Sequence, residues 1–305
     1  MPEVVHPTAA FFSLYSLCIM RAMPIRIFTN KSGWIQMRSS FAKNCRHYLQ
    51  EALGLAIFMI SACFFSAMLF SEKSSWYYFF PDFMARNICM GLMMGLTALF
   101  IFYSRWTAPS GSQINPAVTI TFLRLDKMCR YDAMFFIIFQ FIGGTAAVYL
   151  MQALMGNILT DAPISSAVTV PGKMGAMPAL FTEFIIAFIT MTMILFTSNN
   201  ERLKKYTRII AACFVCCWVI LAGPVSGFGM NPARTFASAL PANTWTAFWL
   251  YMLIPVAGML SAAEFYLTMK KVKRKCRLKV VFRQYEIKNK NQIQHNETVL
   301  KIISG

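Results

Sequence analysis

The tripeptide Asn-Pro-Ala occurs twice in this chain, and the two copies stand 116 residues apart in similar surroundings. A Ser-Gly pair precedes each copy by the same short interval. A motif repeated at this separation indicates a duplicated chain, and in a membrane protein the site of a duplicated chain lies between its halves. The residues of the two copies are Asn115, Pro116 and Ala117, and Asn231, Pro232 and Ala233.

The composition places the duplication in a membrane. The chain of 305 residues is 57% hydrophobic and only 13% charged, which is more apolar than a soluble domain of this size requires. Six windows are long and apolar enough to cross about 30 Å of hydrocarbon. They are residues 49–70, 87–104, 132–154, 179–197, 209–225 and 245–268.

The net charge of +17 invites comparison with nucleic-acid-binding proteins, but its distribution argues against that function. Lys and Arg cluster between the apolar windows and at the two ends of the chain. With both termini in the cytoplasm, the inner segments hold 25 of the 29 basic residues. This excess predicts cytoplasmic termini for an integral membrane protein. The expected location is the plasma (cell inner) membrane.

Two shorter apolar segments, residues 116–124 and 232–240, begin at the Asn-Pro-Ala motifs. Proline is favourable in the first turn of a helix, and asparagine just before it is a good N-cap. Each segment therefore predicts a half-helix that is too short to span the bilayer. Such a segment must be buried in protein or line a wet cavity.

Three full spans in each half place the second half in the opposite orientation to the first. The two half-helices are then expected to enter from opposite faces and to meet with their N-termini near the midplane. The predicted fold is an all-α membrane protein with six transmembrane helices and two half-helices in an inverted repeat. Glu51 begins the first half and Glu183 the second, and both are expected to accept hydrogen bonds from loop N–H groups.

The expected midplane chemistry suits neutral molecules. Each helix N-terminus carries about half a positive charge and free N–H groups, so two such ends repel cations. The carboxamides of Asn115 and Asn231 supply further donors for a molecule with lone pairs, such as water or a small alcohol. Arg234, three residues after Asn231, is expected to add fixed donors and a second barrier to cations.

With Arg234 directly after the second Asn-Pro-Ala, the chain resembles the aquaporin or major intrinsic protein family over roughly residues 49–268. The resemblance implies passive flow through a pore in each subunit of a homotetramer. It also implies a selectivity filter of four residues. By counting from the motifs, these are Gly95, Val219, Phe228 and Arg234.

The filter and its surroundings favour different substrates. Water-selective relatives usually carry an aromatic residue and a histidine where this chain has Gly95 and Val219, so the filter is expected to be wide. Thr235, where glycerol-conducting relatives usually carry Asp, and the Phe248-Trp249 pair are typical of water channels. The sequence therefore favours water with some passage of small neutral solutes, and the alternative is a glycerol or small-solute facilitator.

Other functions have less support in the sequence. An ion-coupled transporter needs titratable groups near the midplane, where this chain places Asn, Pro and Ala. The three histidines lie outside the predicted spans, and Cys213-x-x-Cys216 alone supplies too few metal ligands. We expect no enzyme activity, catalytic residue, metal or cofactor.

The domain organisation follows from the spans. Residues 1–48 are predicted to be a cytoplasmic N-terminal extension and 49–268 the channel domain, whose halves are 49–154 and 179–268. Residues 269–305 form a basic cytoplasmic tail, which is expected to attract anionic membrane lipid rather than nucleic acid.

Overall fold

The computed structural model describes residues 31–270, and these form a bundle of helices. Residues 1–30 of the predicted extension lie outside the described residues, and so does the predicted tail apart from residues 269 and 270. The helices are α1 (Lys31–Phe70), α2 (Ser75–Phe79), α3 (Phe83–Tyr103), α4 (Pro116–Arg124), α5 (Arg130–Met155), α6 (Asn157–Thr160), α7 (Ala176–Ser198), α8 (Thr207–Ser226), α9 (Pro232–Ala242) and α10 (Phe248–Lys270).

Six of the described helices, α1, α3, α5, α7, α8 and α10, are long and apolar enough to cross a membrane. The six spans predicted from the sequence are confirmed, and most of their bounds agree within a few residues. The largest difference is α1, which has 40 residues and is therefore about 60 Å long. We call the side that carries segments 125–129 and 199–206 the basic face, and the side that carries segments 71–82 and 156–175 the opposite face.

The part of α1 that precedes the predicted first span is fastened to the start of α5. One carboxylate oxygen of Asp132 accepts hydrogen bonds from Ser40 Oγ at 2.6 Å, Asn44 Nδ2 at 3.0 Å and Tyr48 Oη at 2.6 Å. The Tyr48 ring also stacks on Phe135, with 5.0 Å between the ring centroids. These contacts continue the helix beyond the hydrocarbon-length window, so the predicted boundary at residue 49 lies inside one continuous helix.

The two half-helices begin where the motifs predict. Asn115 caps α4 by accepting a hydrogen bond from Ala117 N, and Asn231 caps α9 by accepting from Ala233 N and Arg234 N. In both helices proline occupies the first turn, where a backbone N–H has no intrahelical acceptor, so the missing N–H of proline costs no hydrogen bond.

The packing of the helices follows the inverted repeat. Within the first half α1 packs on α5, and within the second half α7 packs on α10, while α3 and α8 meet between the halves. The half-helices are exchanged: α4 packs on α10 of the second half, and α9 packs on α5 of the first. Each half therefore helps to bury the half-helix of the other.

Two glycines permit close approach of a helix to the backbone of its neighbour, and they occupy corresponding places in the two halves. A Cβ on Gly143 of α5 would lie 2.2 Å from the carbonyl oxygen of Ala52 in α1. A Cβ on Gly258 of α10 would lie 2.7 Å from the carbonyl oxygen of Phe184 in α7. Ala52 and Phe184 directly follow Glu51 and Glu183, so these contacts set how close each glutamate comes to the interior.

We expect Gly143→Ala to destabilise the protein by about 1–3 kcal/mol, because the obstructing atoms are backbone and cannot rotate away. Thermal unfolding in detergent measures the effect. The matched control is Gly223→Ala in α8, where the nearest atom to the new Cβ is Asn87 Oδ1 at 3.7 Å. An equal unfolding temperature for the two variants would contradict the close contact between α1 and α5.

Candidate functional site

The chain before each half-helix is held by one buried glutamate. Glu51, with no exposed surface, accepts hydrogen bonds from Ser110 Oγ at 2.6 Å, Gln113 N at 3.0 Å and Ile114 N at 2.6 Å. A fourth bond comes from Gln140 Nε2 at 2.9 Å. These bonds satisfy backbone N–H groups that the re-entrant chain would otherwise bury without partners.

The second half repeats this arrangement. Glu183 accepts hydrogen bonds from Ser226 Oγ at 2.7 Å, Gly229 N at 2.8 Å and Met230 N at 2.5 Å. Each donor lies 116 residues after its counterpart in the first half. Tyr251 Oη adds a bond to Ser226 O at 2.7 Å, which fastens the same segment to α10.

Both segments have the same alternating backbone. In the first, Gly111, Ser112 and Ile114 have φ values of 97°, 48° and 44°. The corresponding residues of the second segment are Gly227, Phe228 and Met230, at 75°, 50° and 46°. Left-handed conformations cost non-glycine residues about 1–3 kcal/mol each, and the bonds to Glu51 and Glu183 hold the chain in them.

The two motifs are joined to each other by reciprocal hydrogen bonds. Asn115 Nδ2 donates to Met230 O at 2.9 Å, and Asn231 Nδ2 donates to Ile114 O at 2.6 Å. The N-termini of α4 and α9 are therefore brought together, with their positive ends adjacent. Each carboxamide nitrogen has two hydrogens and uses one in this crossing, so a second donor remains on each asparagine.

A cavity of about 180 Å³ lies on the basic-face side of this crossing and extends to both asparagines. Its wall combines apolar side chains with a few polar ones, including Gln113, Thr190 and Arg208. A second cavity of about 240 Å³ lies on the opposite-face side and is lined by Met94 and Val219 among others. The two cavities approach each other at Phe58, Phe228 and Arg234, which line both.

Arg234 combines a fixed backbone with a free donor. Its backbone N donates to Asn231 Oδ1 at 3.2 Å, so the residue sits in the first turn of α9. Nη1 of its guanidinium is buried and has no hydrogen-bond partner within residues 31–270. Arg234 lines both cavities, and its positive charge opposes the entry of cations.

Hydrogen bonding also determines which end of the Gln113 carboxamide faces the basic-face cavity. Gln140 Nε2 donates to Glu51 Oε2 and to Thr119 Oγ1, at 2.9 and 3.3 Å. Thr119 Oγ1 has two acceptors within reach of its own hydrogen, Gln113 Oε1 at 2.7 Å and Asn115 O at 3.2 Å. With the shorter bond made, the Nε2 of Gln113 remains as a donor, where the family pattern often has a histidine.

The structure brings three of the four predicted filter residues to the opposite-face cavity, namely Val219, Phe228 and Arg234. Gly95 lies elsewhere, at the contact with α8, where a Cβ would lie 2.8 Å from Cys216 Cβ. The preceding residue, Met94, lines the cavity instead. Neighbouring helical residues point about 100° apart, and counting back from Asn115 does not determine which of them faces the cavity.

Asn87 is another residue that the motifs did not indicate. Pro224 interrupts α8 and cannot donate to Ile220 O, four residues earlier. Asn87 Nδ2 makes that bond at 2.8 Å and so joins α3 to α8 beside Val219. The sequence did contain a signal for this contact. Pro224 lies inside a predicted span, and a proline there leaves the carbonyl four residues earlier in need of another donor.

Comparisons with known proteins agree with this geometry. The family described as Major intrinsic protein matches residues 38–266. The chain belongs to the major intrinsic protein family. It is an integral membrane protein with six spans.

Individual relatives are more distant. Aquaporin NIP2-2 of Zea mays is 33% identical over 158 residues, which cover 52% of each chain. Aquaporin NIP1-2 of Arabidopsis thaliana is 30% identical over 188 residues, 58% of this chain and 61% of that one. The chain thus spans about half the length of the first of these relatives and three fifths of the second.

A solved structure, the aquaglyceroporin from Plasmodium falciparum, shares the fold with a TM-score of 0.61. It is 20% identical, and the match covers 73% of this chain and 95% of the other. The likeness confirms the predicted architecture of six spans with two half-helices.

We expect Glu51→Ala to destabilise the protein more than Glu183→Ala. Each change leaves two buried backbone N–H groups without an acceptor, at about 1–3 kcal/mol for each group. Glu51→Ala also removes two side-chain hydrogen bonds, whereas Glu183→Ala removes one. Urea or thermal unfolding in detergent micelles measures the difference. Glu264→Ala, which removes the acceptor of an exposed ion pair with Arg124, is the control and is expected to have a small effect.

Proposed function

We propose that this protein is a passive membrane channel for water that also passes small neutral solutes and excludes protons and ions. The observation that carries the proposal is the reciprocal crossing of Asn115 and Asn231 between the two cavities. Two helix N-termini and the remaining amide donors meet there. A molecule with lone pairs is stabilised at this point, while a cation is repelled.

The same crossing supports proton exclusion. A water molecule that accepts hydrogen bonds from both asparagines directs its own hydrogens away from the crossing. The chain of hydrogen bonds along which a proton moves is then broken at this molecule. Arg234 adds a positive charge beside the crossing, which raises the energy of a hydrated proton further.

The lining argues against coupling to ions. Among the described residues, the charged side chains that line the two cavities are Arg208 and Arg234, and no aspartate, glutamate or histidine joins them. A transporter driven by protons or sodium needs such a group at its site. Family membership likewise supports a channel rather than an enzyme or an ion-coupled transporter.

A glycerol or small-solute facilitator is the second candidate. Met94, Val219 and Phe228 give the opposite-face cavity an apolar wall, and Arg234 contributes a free donor. A polyol presents hydroxyl groups on one side and C–H groups on the other, so this combination suits it. The printed name of the Plasmodium falciparum structure, an aquaglyceroporin, is consistent with this candidate.

The remaining features of the proposal follow the charge pattern and the family. We place both termini in the cytoplasm and the basic face inward, in the plasma membrane, because 25 of the 29 basic residues lie on that side. We propose a homotetramer whose subunits each contain one pore. The tail, residues 269–305, is proposed to lie against anionic lipid.

Stopped-flow light scattering of liposomes tests the channel. After a sucrose shock, liposomes with the purified protein are expected to shrink faster than empty liposomes, with a low activation energy. The matched control is Gly223→Trp, which is expected to lose the fast shrinkage. Gly223 lines the opposite-face cavity, and the nearest atom to a Cβ there is Asn87 Oδ1 at 3.7 Å, so the indole obstructs the cavity. Shrinkage no faster than in empty liposomes would contradict an open water channel.

A glycerol shock decides between the two candidates. Fast shrinkage followed by re-swelling at the background rate indicates a water channel. Re-swelling well above that of empty liposomes and of Gly223→Trp indicates a solute facilitator.

The assignment of Met94 to the filter gives a separate prediction. We expect Met94→Phe to slow glycerol entry, because Met94 lines the opposite-face cavity and the larger ring narrows it. Gly95→Ala is expected to lower the unfolding temperature, because its Cβ meets Cys216 Cβ at 2.8 Å and Ala212 O at 3.3 Å. If Gly95→Ala instead slowed glycerol entry at unchanged stability, the original count from Asn115 would be right and Met94 would not be the filter residue.

A further inference from the structure

Three residues line both cavities and therefore lie between them. We call Phe58, Phe228 and Arg234 the neck. Phe228 and Arg234 follow from the second motif, but Phe58 belongs to α1, far from either motif in sequence. Its side chain is 8% exposed and lies in the same buried apolar cluster as Phe228 and Val219.

The position of Phe58 follows from the helix that carries it. Glu51 points from α1 toward the first re-entrant segment, and Phe58 follows seven residues later. Seven residues are close to two helical turns, so Phe58 lies on the same face as Glu51 and about 10 Å nearer the opposite face. Ala62, one further turn along, also lines the opposite-face cavity.

The inverted repeat supplies an independent check on this placement. Seven residues after Glu183 stands Thr190, and eleven residues after it stands Ile194, and both line the basic-face cavity. These are the counterparts of Phe58 and Ala62. The first transmembrane helix of each half therefore presents equivalent positions to the interior, but one half places a phenyl ring there and the other a small hydroxyl side chain.

Thr190 does not protrude freely, since its Oγ1 accepts a hydrogen bond from Trp218 Nε1 at 2.8 Å. Its side chain is thereby drawn toward α8. Phe58 has no polar atom and remains in the apolar cluster. The two halves thus place side chains of different size at symmetry-related positions, a phenyl ring in the first half and a threonine in the second.

We propose that Phe58 is a specificity-determining residue, which limits the size of the solute that passes between the filter and the asparagines. The inference rests on the proposed channel function. Arg234 offers a free donor in the neck, and Phe228 is held in a left-handed conformation by the bonds of its neighbours to Glu183. Water satisfies the Arg234 donor without displacing the Phe58 ring, whereas a solute with a carbon chain must fit beside that ring.

The test replaces Phe58 by the residue of the other half and by a smaller apolar residue. Phe58→Thr and Phe58→Leu are reconstituted, and entry of glycerol and of longer polyols is measured against water by stopped-flow light scattering. The ratio of glycerol to water permeability is expected to rise several-fold in Phe58→Thr and less in Phe58→Leu. The longer polyols are expected to begin to enter in Phe58→Thr.

Phe64→Leu is the matched control. Phe64 lies on the same helix, but its side chain is 37% exposed and packs against the Trp76 ring. This variant is expected to keep the solute ratio of the unaltered protein. Phe58→Leu keeps an apolar side chain in the buried cluster. If its unfolding temperature stays near that of the unaltered protein, a change in its solute ratio reports a wider neck rather than a misfolded protein.

The outcomes distinguish the neck from the channel itself. If the unaltered protein conducts water and folded Phe58→Leu and Phe58→Thr keep its solute ratio, Phe58 does not limit solute size and the inference is wrong. If the unaltered protein is no faster than empty liposomes, the channel proposal fails. If only Phe58→Thr then conducts water, Phe58 closes the passage in the unaltered protein. If none of the variants conducts water, both proposals are overturned.

Discussion

Two buried carboxylates make the whole arrangement possible. A chain that enters the apolar interior and turns back leaves backbone N–H groups that lipid cannot satisfy. Glu51 and Glu183 accept those groups, together with one serine hydroxyl in each half. Because each glutamate is attached to a full-length helix at a close glycine contact, the re-entrant segments are positioned by the bundle rather than by their own sequence.

The crossing of the two motifs depends on that support. Once the segments before α4 and α9 are fixed in left-handed conformations, Ile114 O and Met230 O can accept from the asparagine of the other half. The exchange of half-helices between halves then buries both crossing points. Function, as proposed, uses what remains: one donor on each asparagine, the free Nη1 of Arg234, and two adjacent helix N-termini.

The halves are alike in their polar framework and unlike in their cavities. Three donors to Glu51 correspond residue by residue to the three donors to Glu183, because both sets hold the same re-entrant backbone, and Gln140 is an additional donor to Glu51. The cavity side chains differ, as Phe58 and Thr190 illustrate, because no backbone group depends on them. Selectivity can therefore change by substitution at such positions without loss of the fold.

The sequence by itself determined the six spans, the two half-helices and their meeting point. Hydrocarbon thickness sets the length of a span, Asn-Pro starts a helix, and an odd number of spans in each half inverts the second half. It also indicated Phe228 and Arg234 as residues of the filter, because each stands three residues from Asn231 in the sequence. Only the tertiary structure decided that Met94 rather than Gly95 faces the cavity and that Phe58 joins the neck. The rotation of α3 is set by how closely Gly95 packs on α8. Such packing involves residues far apart in the chain, so no local pattern records it.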